Sequence, residues 1–487
     1  MINKQRLTAR IIGFLFISMS LTASLTVSAG QLTELQQRAM DSNLAWQLVE
    51  SLTTEVGARM PATAKDAEGV QWMGDKFTEL GFDKVWTEPV TFPRWVRGTE
   101  SARMIAPFTQ PLTIIGLGGS PATAGEITAV VVEFKTYKDL EAAADGSLKG
   151  KIAYISNRME RHKNGAGYGP AVTARSRGPY MANQKGALAL LIRSIGTDTE
   201  RSPHTGGISN SQHKEPEKGM PVPAAALSNP DADLLSHAIA RGKPVSLALE
   251  ISSGYKGEYT SHNVIGEITG ATAVDEIVVV GGHLDSWDPG TGAIDDAAGI
   301  GIMTAAAKLV AAGQRPLRSI WVVAFANEEQ GLYGAKAFAA AHAGEMDRFV
   351  LGGESDFGAG RVYRIRANVS NEALPAIHKL AKELKPLGIE LDLENKAGGS
   401  ADVGRLRAAG VAVIDLSQDG TRYFDWHHTA NDTLDKIDPQ ELAQNVAAWA
   451  TVINAAANSD TQFGPIIGDE KNQIGNVVLE NNPSGKK

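Results

Sequence analysis

From about Tyr255 to Ala457 short apolar runs alternate with helix-length segments, and this alternation restricts the fold more than any other feature of the 487-residue chain. Strands are predicted at 277–280, 320–326, 349–352 and 411–416. Helices are predicted at 299–312, 334–341, 373–384 and 439–456. Strands separated by helices of this length cannot pair through tight hairpins. They return by crossovers, which gives an α/β fold with a mostly parallel (mixed) sheet and helices on both faces. In such sheets ligands bind outside the carboxyl ends of the strands.

The polar residues that follow these strands carry the chemistry. His283, in Gly281-Gly282-His283-Leu284-Asp285-Ser286-Trp287-Asp288, follows the first strand, and Asp285 is close enough in sequence to orient its imidazole. Asp295-Asp296 lies in a Gly-rich loop just before the 299–312 helix, where one carboxylate can bridge two cations. A helix N-terminus also favours acids through its dipole, so the pair alone decides nothing. Glu328-Glu329 ends the most apolar strand of the chain. Two acids there suit one metal ligand and one general base acting on a water. Asp356 repeats the placement after the next strand, and His427-His428, ahead of Asp432-Thr433, offers a second imidazole.

The chain has no cysteine, so any metal must be held by nitrogen and oxygen donors. Such donors suit zinc in a catalytic site, with cobalt or manganese as substitutes. Two cations about 3.5–4 Å apart can polarise a carbonyl and share a hydroxide.

These segments resemble, in order and spacing, the co-catalytic zinc aminopeptidase family, and most closely its carboxypeptidase Q branch. The resemblance covers nearly the whole mature chain and includes an inserted protease-associated domain. It implies two zinc ions per chain, one held by His283 and Asp356, the other by Glu329 and His428, with Asp295 between them. His428 is preferred to His427 because the family's ligand directly precedes the position that Thr429 fills. Glu328 is implied as the base that takes a proton from the bridging water, Asp285 as the partner of His283, and Tyr423 as a stabiliser of the oxyanion. The resemblance also implies a cis Asp295–Asp296 peptide, a homodimer, and free-N-terminal dipeptides or short peptides as substrates. Two rival functions use the same fold: a glutaminyl cyclase-like acyl transfer with one zinc, and an inactive receptor-type binding domain that has lost its metal.

The remaining sequence says where the protein works. Residues 1–29, with Lys4, Arg6 and Arg10 before an apolar stretch and Val27-Ser28-Ala29 at its end, read as a secretory signal. Its removal leaves 44 Lys+Arg against 55 Asp+Glu, a formal charge of −11, which argues against nucleic acid as a partner. An exported protein, periplasmic or extracellular and bacterial, is expected, with no membrane contact after signal removal. Residues 30–110 are expected to open the peptidase domain, 111–252 to form the β-rich insertion, 253–463 to complete the peptidase domain, and 464–487 to form a flexible tail. The run 165–169 reads as a flexible loop rather than a phosphate cradle, since it does not follow a strand. His204 and His213 fall in a stretch, 196–219, that reads as a solvent-exposed loop. Gly-x-Ser-x-Gly and His-Glu-x-x-His motifs are absent.

Overall fold

The structure, a computed structural model, describes residues 31–208, 220–464 and 466. The expected signal segment, His213 and nearly all of the expected tail lie outside the described residues. No described helix is long and apolar enough to cross a membrane.

Two eight-stranded sheets organise the chain. The first runs in the order Lys84–Val96, Gly254–Ile268, Arg318–Phe325, Ala273–His283, Phe349–Glu354, Val413–Gln418, Val362–Asn368 and Glu390–Leu391. Its four central strands are parallel, and antiparallel pairs flank them on both sides. The chain enters the centre with Ala273–His283, crosses to Arg318–Phe325 on one side, and then to Phe349–Glu354 on the other. The crossovers therefore diverge at the His283 strand, which opens a crevice at its carboxyl end. The register sets His283 opposite Phe325 and Gly281 opposite Glu354, so the polar residues after all three strands emerge side by side.

Helices pack on this sheet through their small and apolar faces. Ala298–Ala311 is buried along nearly its whole length, and Pro439–Ala457 lies beside it. The second helix starts sharply because Asp438 accepts the backbone N–H groups of Gln440 and Glu441 and Pro439 needs no acceptor. At the N-terminus two short helices pack on the sheet, Glu34–Met40, capped by Thr33, and Leu44–Ser51. The long strands Lys84–Val96 and Gly254–Ile268 exceed their sequence signal. Their paired outer ends differ: residues 254–260 are largely exposed, while residues 91–96 opposite them bury Phe92 and Trp95.

The second sheet occupies the chain between Glu100 and Ile251, in the order Gln110–Leu112, Glu100–Ala106, Ser246–Ile251, Ile127–Phe134, Lys151–Ile155, Ala189–Arg193, Ala224–Leu227 and Ile114–Gly116. The Glu100–Ala106 strand, ahead of the boundary expected at 111, pairs with Ser246–Ile251 in this sheet. This module also carries helices that its β-rich composition hid, Tyr168–Ser176, Gly178–Gln184 and Asn229–Ala240. Two sequence expectations are corrected here. The run 165–169 is not a loose loop: Gly165 packs against Phe357 and Phe424, and Tyr168 begins a helix. Nor is His204 exposed; it is 1% accessible and faces the first sheet's domain.

Candidate active site

Each polar residue at the crevice has a local reason for its position. Asn327, with φ of +51°, reverses the chain directly after the Arg318–Phe325 strand. Asparagine tolerates this left-handed conformation better than most residues. Glu328 and Glu329 are thereby folded back over the strand end. The Asp285 carboxylate holds them there, accepting the Glu328 N–H at 3.0 Å and the Glu329 N–H at 3.3 Å.

The expected role of Asp285 is refined accordingly. His283 Nδ1 lies 3.0 Å from the Asp285 carbonyl and 3.7 Å from its carboxylate. The imidazole is oriented mainly by the main chain, because the carboxylate is occupied by the two glutamate amides. Asp296 has a similar supporting task, accepting the His283 and Gly299 N–H groups.

Asp295 sits at the centre. One of its oxygens lies 3.0 Å from His283 Nε2 and the other 3.2 Å from His428 Nε2. Glu329 approaches the same His428 nitrogen at 3.0 Å, and Asp356 lies 3.7 Å from His283 Nε2. The Asp295–Asp296 peptide is cis. His427 stacks on His428 at 3.5 Å between ring centroids, and its Nε2 is 3.5 Å from Asp295. The geometry separates the neighbours: His428 meets both Asp295 and Glu329, whereas His427 meets Asp295 alone.

The donors are suited to a metal. Donor atoms of His283, Asp295 and Glu329, of His283, Asp296 and Asp356, and of Asp295, His427 and His428 fall within 4.8 Å of one another in each group. Glu329 Oε1 is buried without a hydrogen-bond partner, and Asp295 Oδ2 has only the two imidazole nitrogens at 3.2 and 3.5 Å beside it. Buried carboxylate oxygens left bare in this way are costly unless a cation faces them.

A cavity of about 720 Å³ opens over this cluster, with Glu328, Tyr423, His427 and His428 in its wall. Burial pushes the Glu328 carboxyl well above the usual range, and the neighbouring carboxylates add to the effect. Burial also raises the Tyr423 phenol, which keeps its proton, and the ring packs on Phe357 and His427.

Sequence reasoning missed several supporting residues. Arg59, in an unremarked loop, is fully buried and donates to the carbonyls of Gly57, Leu284, Thr291 and Gly292, tying both ligand loops to one guanidinium. Asp432 accepts the Ala293 and Ile294 N–H groups at 2.7 Å each, fixing the turn that carries Asp295. From the second module, His204 Nδ1 meets the His427 carbonyl at 2.6 Å while its Nε2 pairs with Asp198 at 2.6 Å. Thr205 donates its N–H to the His428 carbonyl and faces His428 Nδ1 with its own carbonyl at 3.3 Å. Arg175 and Tyr168 complete the wall on that side. Asp432 stood in the spaced segments without a role, and for Arg59, His204, Thr205, Arg175 and Tyr168 only burial exposes the role, with no spacing in the sequence to signal it.

Comparison with known proteins agrees with this geometry. A model of peptidase family M28 matches residues 263–453. Carboxypeptidase Q of Mus musculus is 32% identical over 420 residues, spanning 86% of this chain and 86% of that protein. The Homo sapiens carboxypeptidase Q is 32% identical over 421 residues with the same coverage. The crystal structure of a peptidase M28 precursor from Shewanella amazonensis SB2B superposes with a TM-score of 0.86 at 48% identity, over 89% of this chain and 97% of that chain. A zinc aminopeptidase from Bacillus subtilis has the same fold, with a TM-score of 0.60 at 20% identity over 88% of this chain and 98% of that chain. Identity of this order over most of both chains, together with a crevice of bare carboxylates and paired imidazoles, means that the chain belongs to peptidase family M28 and is a metallo-exopeptidase.

Proposed function

We propose that the protein is an exported two-zinc exopeptidase acting on dipeptides or short peptides with a free N-terminus. The observation that carries this reading is Asp295, whose two oxygens face two different imidazoles at the floor of the cavity that also holds Glu328. His283 and Asp356 would hold one zinc, Glu329 and His428 the other, and Asp295 would be shared. Bound zinc would supply Lewis-acid polarisation of the scissile carbonyl and make water a better acid.

The chain's own residues do the rest. Glu328 accepts a proton from the attacking water and passes it to the leaving amine nitrogen. The surroundings that raise its affinity for a proton make it the better acceptor in the first step, and the leaving amine nitrogen, a stronger base, takes the proton on in the second. Asp285 keeps Glu328 in place through the backbone, so the carboxyl does not have to be ordered at the moment of reaction. Tyr423 stays protonated and donates to the oxyanion of the tetrahedral intermediate. The second module, which we read as a protease-associated domain, closes the cavity opposite the first sheet.

The test is hydrolysis of a dipeptide panel by the zinc-loaded mature protein, each member offered with a free and with an acetylated N-terminus. Cleavage of the free forms alone is expected. Equal cleavage of the acetylated forms would remove the requirement for a free amine.

A further inference from the structure

We infer that Arg97 is a positioning residue for the metal-facing imidazole of His428, acting through Thr205 from the joint between the two modules. The inference rests on the two-zinc reading and adds a residue one contact removed from the imidazole.

Arg97 directly follows the Lys84–Val96 strand, where the chain leaves the first sheet for the second. Its side chain is 14% exposed, and its guanidinium reaches both sides of the joint. On one side Nε donates to the two Asp288 carboxylate oxygens, at 3.0 and 2.7 Å, in the loop that follows His283. On the other, Nη1 donates to the Gly116 carbonyl at 2.7 Å and Nη2 to the Thr205 hydroxyl at 3.1 Å. The Thr205 hydroxyl donates to the same Gly116 carbonyl at 2.9 Å. Glu100 stands 3.6 Å from Nη1, and the Trp95 and Trp287 rings lie 5.2 and 6.0 Å from the guanidinium carbon. A planar fork with donors on three nitrogens can hold all these groups at once, which a lysine ammonium cannot.

Thr205 carries this restraint to His428. Its N–H donates to the His428 carbonyl at 3.1 Å, and its own carbonyl faces His428 Nδ1 at 3.3 Å. A carbonyl only accepts, so the proton sits on Nδ1 and the Nε2 lone pair is turned to Asp295 and Glu329. With its hydroxyl held at both Arg97 and Gly116, Thr205 cannot shift away from the imidazole without breaking those bonds. His204 fixes a different peptide group, the His427 carbonyl, so the two residues do not duplicate each other. The competing role for Arg97 is a clamp between modules that works through Asp288 alone.

The experiment titrates zinc-loaded wild type, Arg97→Gln, Thr205→Val, the double variant and Asp288→Asn with a chelator, counting retained zinc and measuring kcat and KM on a free dipeptide. Arg97→Gln is expected to weaken one of the two zinc equivalents by about tenfold, the scale of a lost supporting contact. Its KM, once fully loaded, should stay that of wild type. The double variant should lose no more than Arg97→Gln, because both substitutions break one connection. Asp288→Asn should keep both equivalents. Arg97→Lys retains the charge opposite Asp288 and answers the question if Arg97→Gln does not fold; the same selective loss is expected in it. Additive losses in the double variant, an Asp288→Asn as impaired as Arg97→Gln, or full zinc retention in Arg97→Lys would each overturn the inference. Any of these leaves the two-zinc reading intact, whereas a wild type that binds fewer than two zinc ions overturns both.

Discussion

On the His283 flank of the crevice every support comes from the first sheet and its own loops, whereas on the His428 flank the supports cross over from the second module. His283, Asp285, Asp296 and Asp356 follow parallel strands, and their hydrogen bonds run between neighbouring strand ends. His428 has a φ of +63°, a conformation that costs a non-glycine residue about 1–3 kcal/mol and persists only where its surroundings impose it. His204, Thr205 and the bidentate Arg161–Asp425 pair impose it from the other module. Trp287 seals the joint: it packs 5.8 Å from the His428 ring, and Gly118 comes so near that a Cβ would sit 2.0 Å from the indole. One flank is therefore built as the sheet forms, and the other only when two modules dock. Substitutions can show whether the flanks are independent.

The largest effect should come from the residue that serves both flanks without holding metal. Glu328→Gln is expected to lower kcat by about 10²- to 10⁴-fold, as loss of a general base does. Metal content should not change. A variant that kept near-normal turnover would remove Glu328 from the reaction.

His204→Ala breaks only the His428 flank. It frees the His427 carbonyl and leaves Asp198 without its imidazole partner. Removal of a supporting contact of this kind typically weakens metal affinity by about 10- to 100-fold. Dialysis against a weak chelator, followed by elemental analysis, should strip one equivalent from the variant before the second. Parallel loss of both equivalents would mean that the flanks are coupled and the comparison fails.

Asp285→Asn tests the opposite flank. An amide keeps one acceptor but turns an N–H₂ toward the other glutamate amide, so one charge-assisted hydrogen bond disappears. A fall of about tenfold in kcat/KM is expected, the scale of a single such bond. His283 should still bind metal, because its Nδ1 meets the Asp285 carbonyl rather than the carboxylate. Selective loss of the His283-side metal would show that the carboxylate orients the imidazole after all.

The same division explains what could be read in the sequence. Strands 277–280 and 320–326 were legible because they are unbroken apolar runs, and the polar residues after them inherit their placement from the crossovers. The roles of His204, Arg175 and Arg59 were not legible. Each acts across more than 200 residues of chain or from inside a module whose helices are short and whose strands are rich in alanine. Such residues look like loop polarity until tertiary packing buries them. The strand Gly254–Ile268 was missed for a related reason: its outer half is polar and exposed, and it pairs with the sequence-distant strand Lys84–Val96. In both regions non-local pairing overrode the local pattern.

The smallest expected effect is on stability, behind the His283 flank. Asp66 lies in the first turn of the Ala64–Glu79 helix, where it accepts from Ser261 at 2.8 Å. Burial pushes its carboxyl from 3.8 up to about 6, and the nearby Asp285 charge adds to the rise. An acid with a raised folded-state value holds its proton more tightly folded than unfolded. Its favourable contribution is therefore complete below about pH 4 and is lost as pH rises through about 6. Asp66→Asn keeps the shape and an acceptor for Ser261 but cannot ionise. Its stability advantage over wild type should grow between about pH 4 and pH 6 and level off above pH 7 at about 1–3 kcal/mol. Urea melts at pH 4.5 and pH 8 measure it. A constant difference at both pH values would show that Asp66 carries no ionisation penalty, and that the acids packed behind His283 are relieved by some other charge.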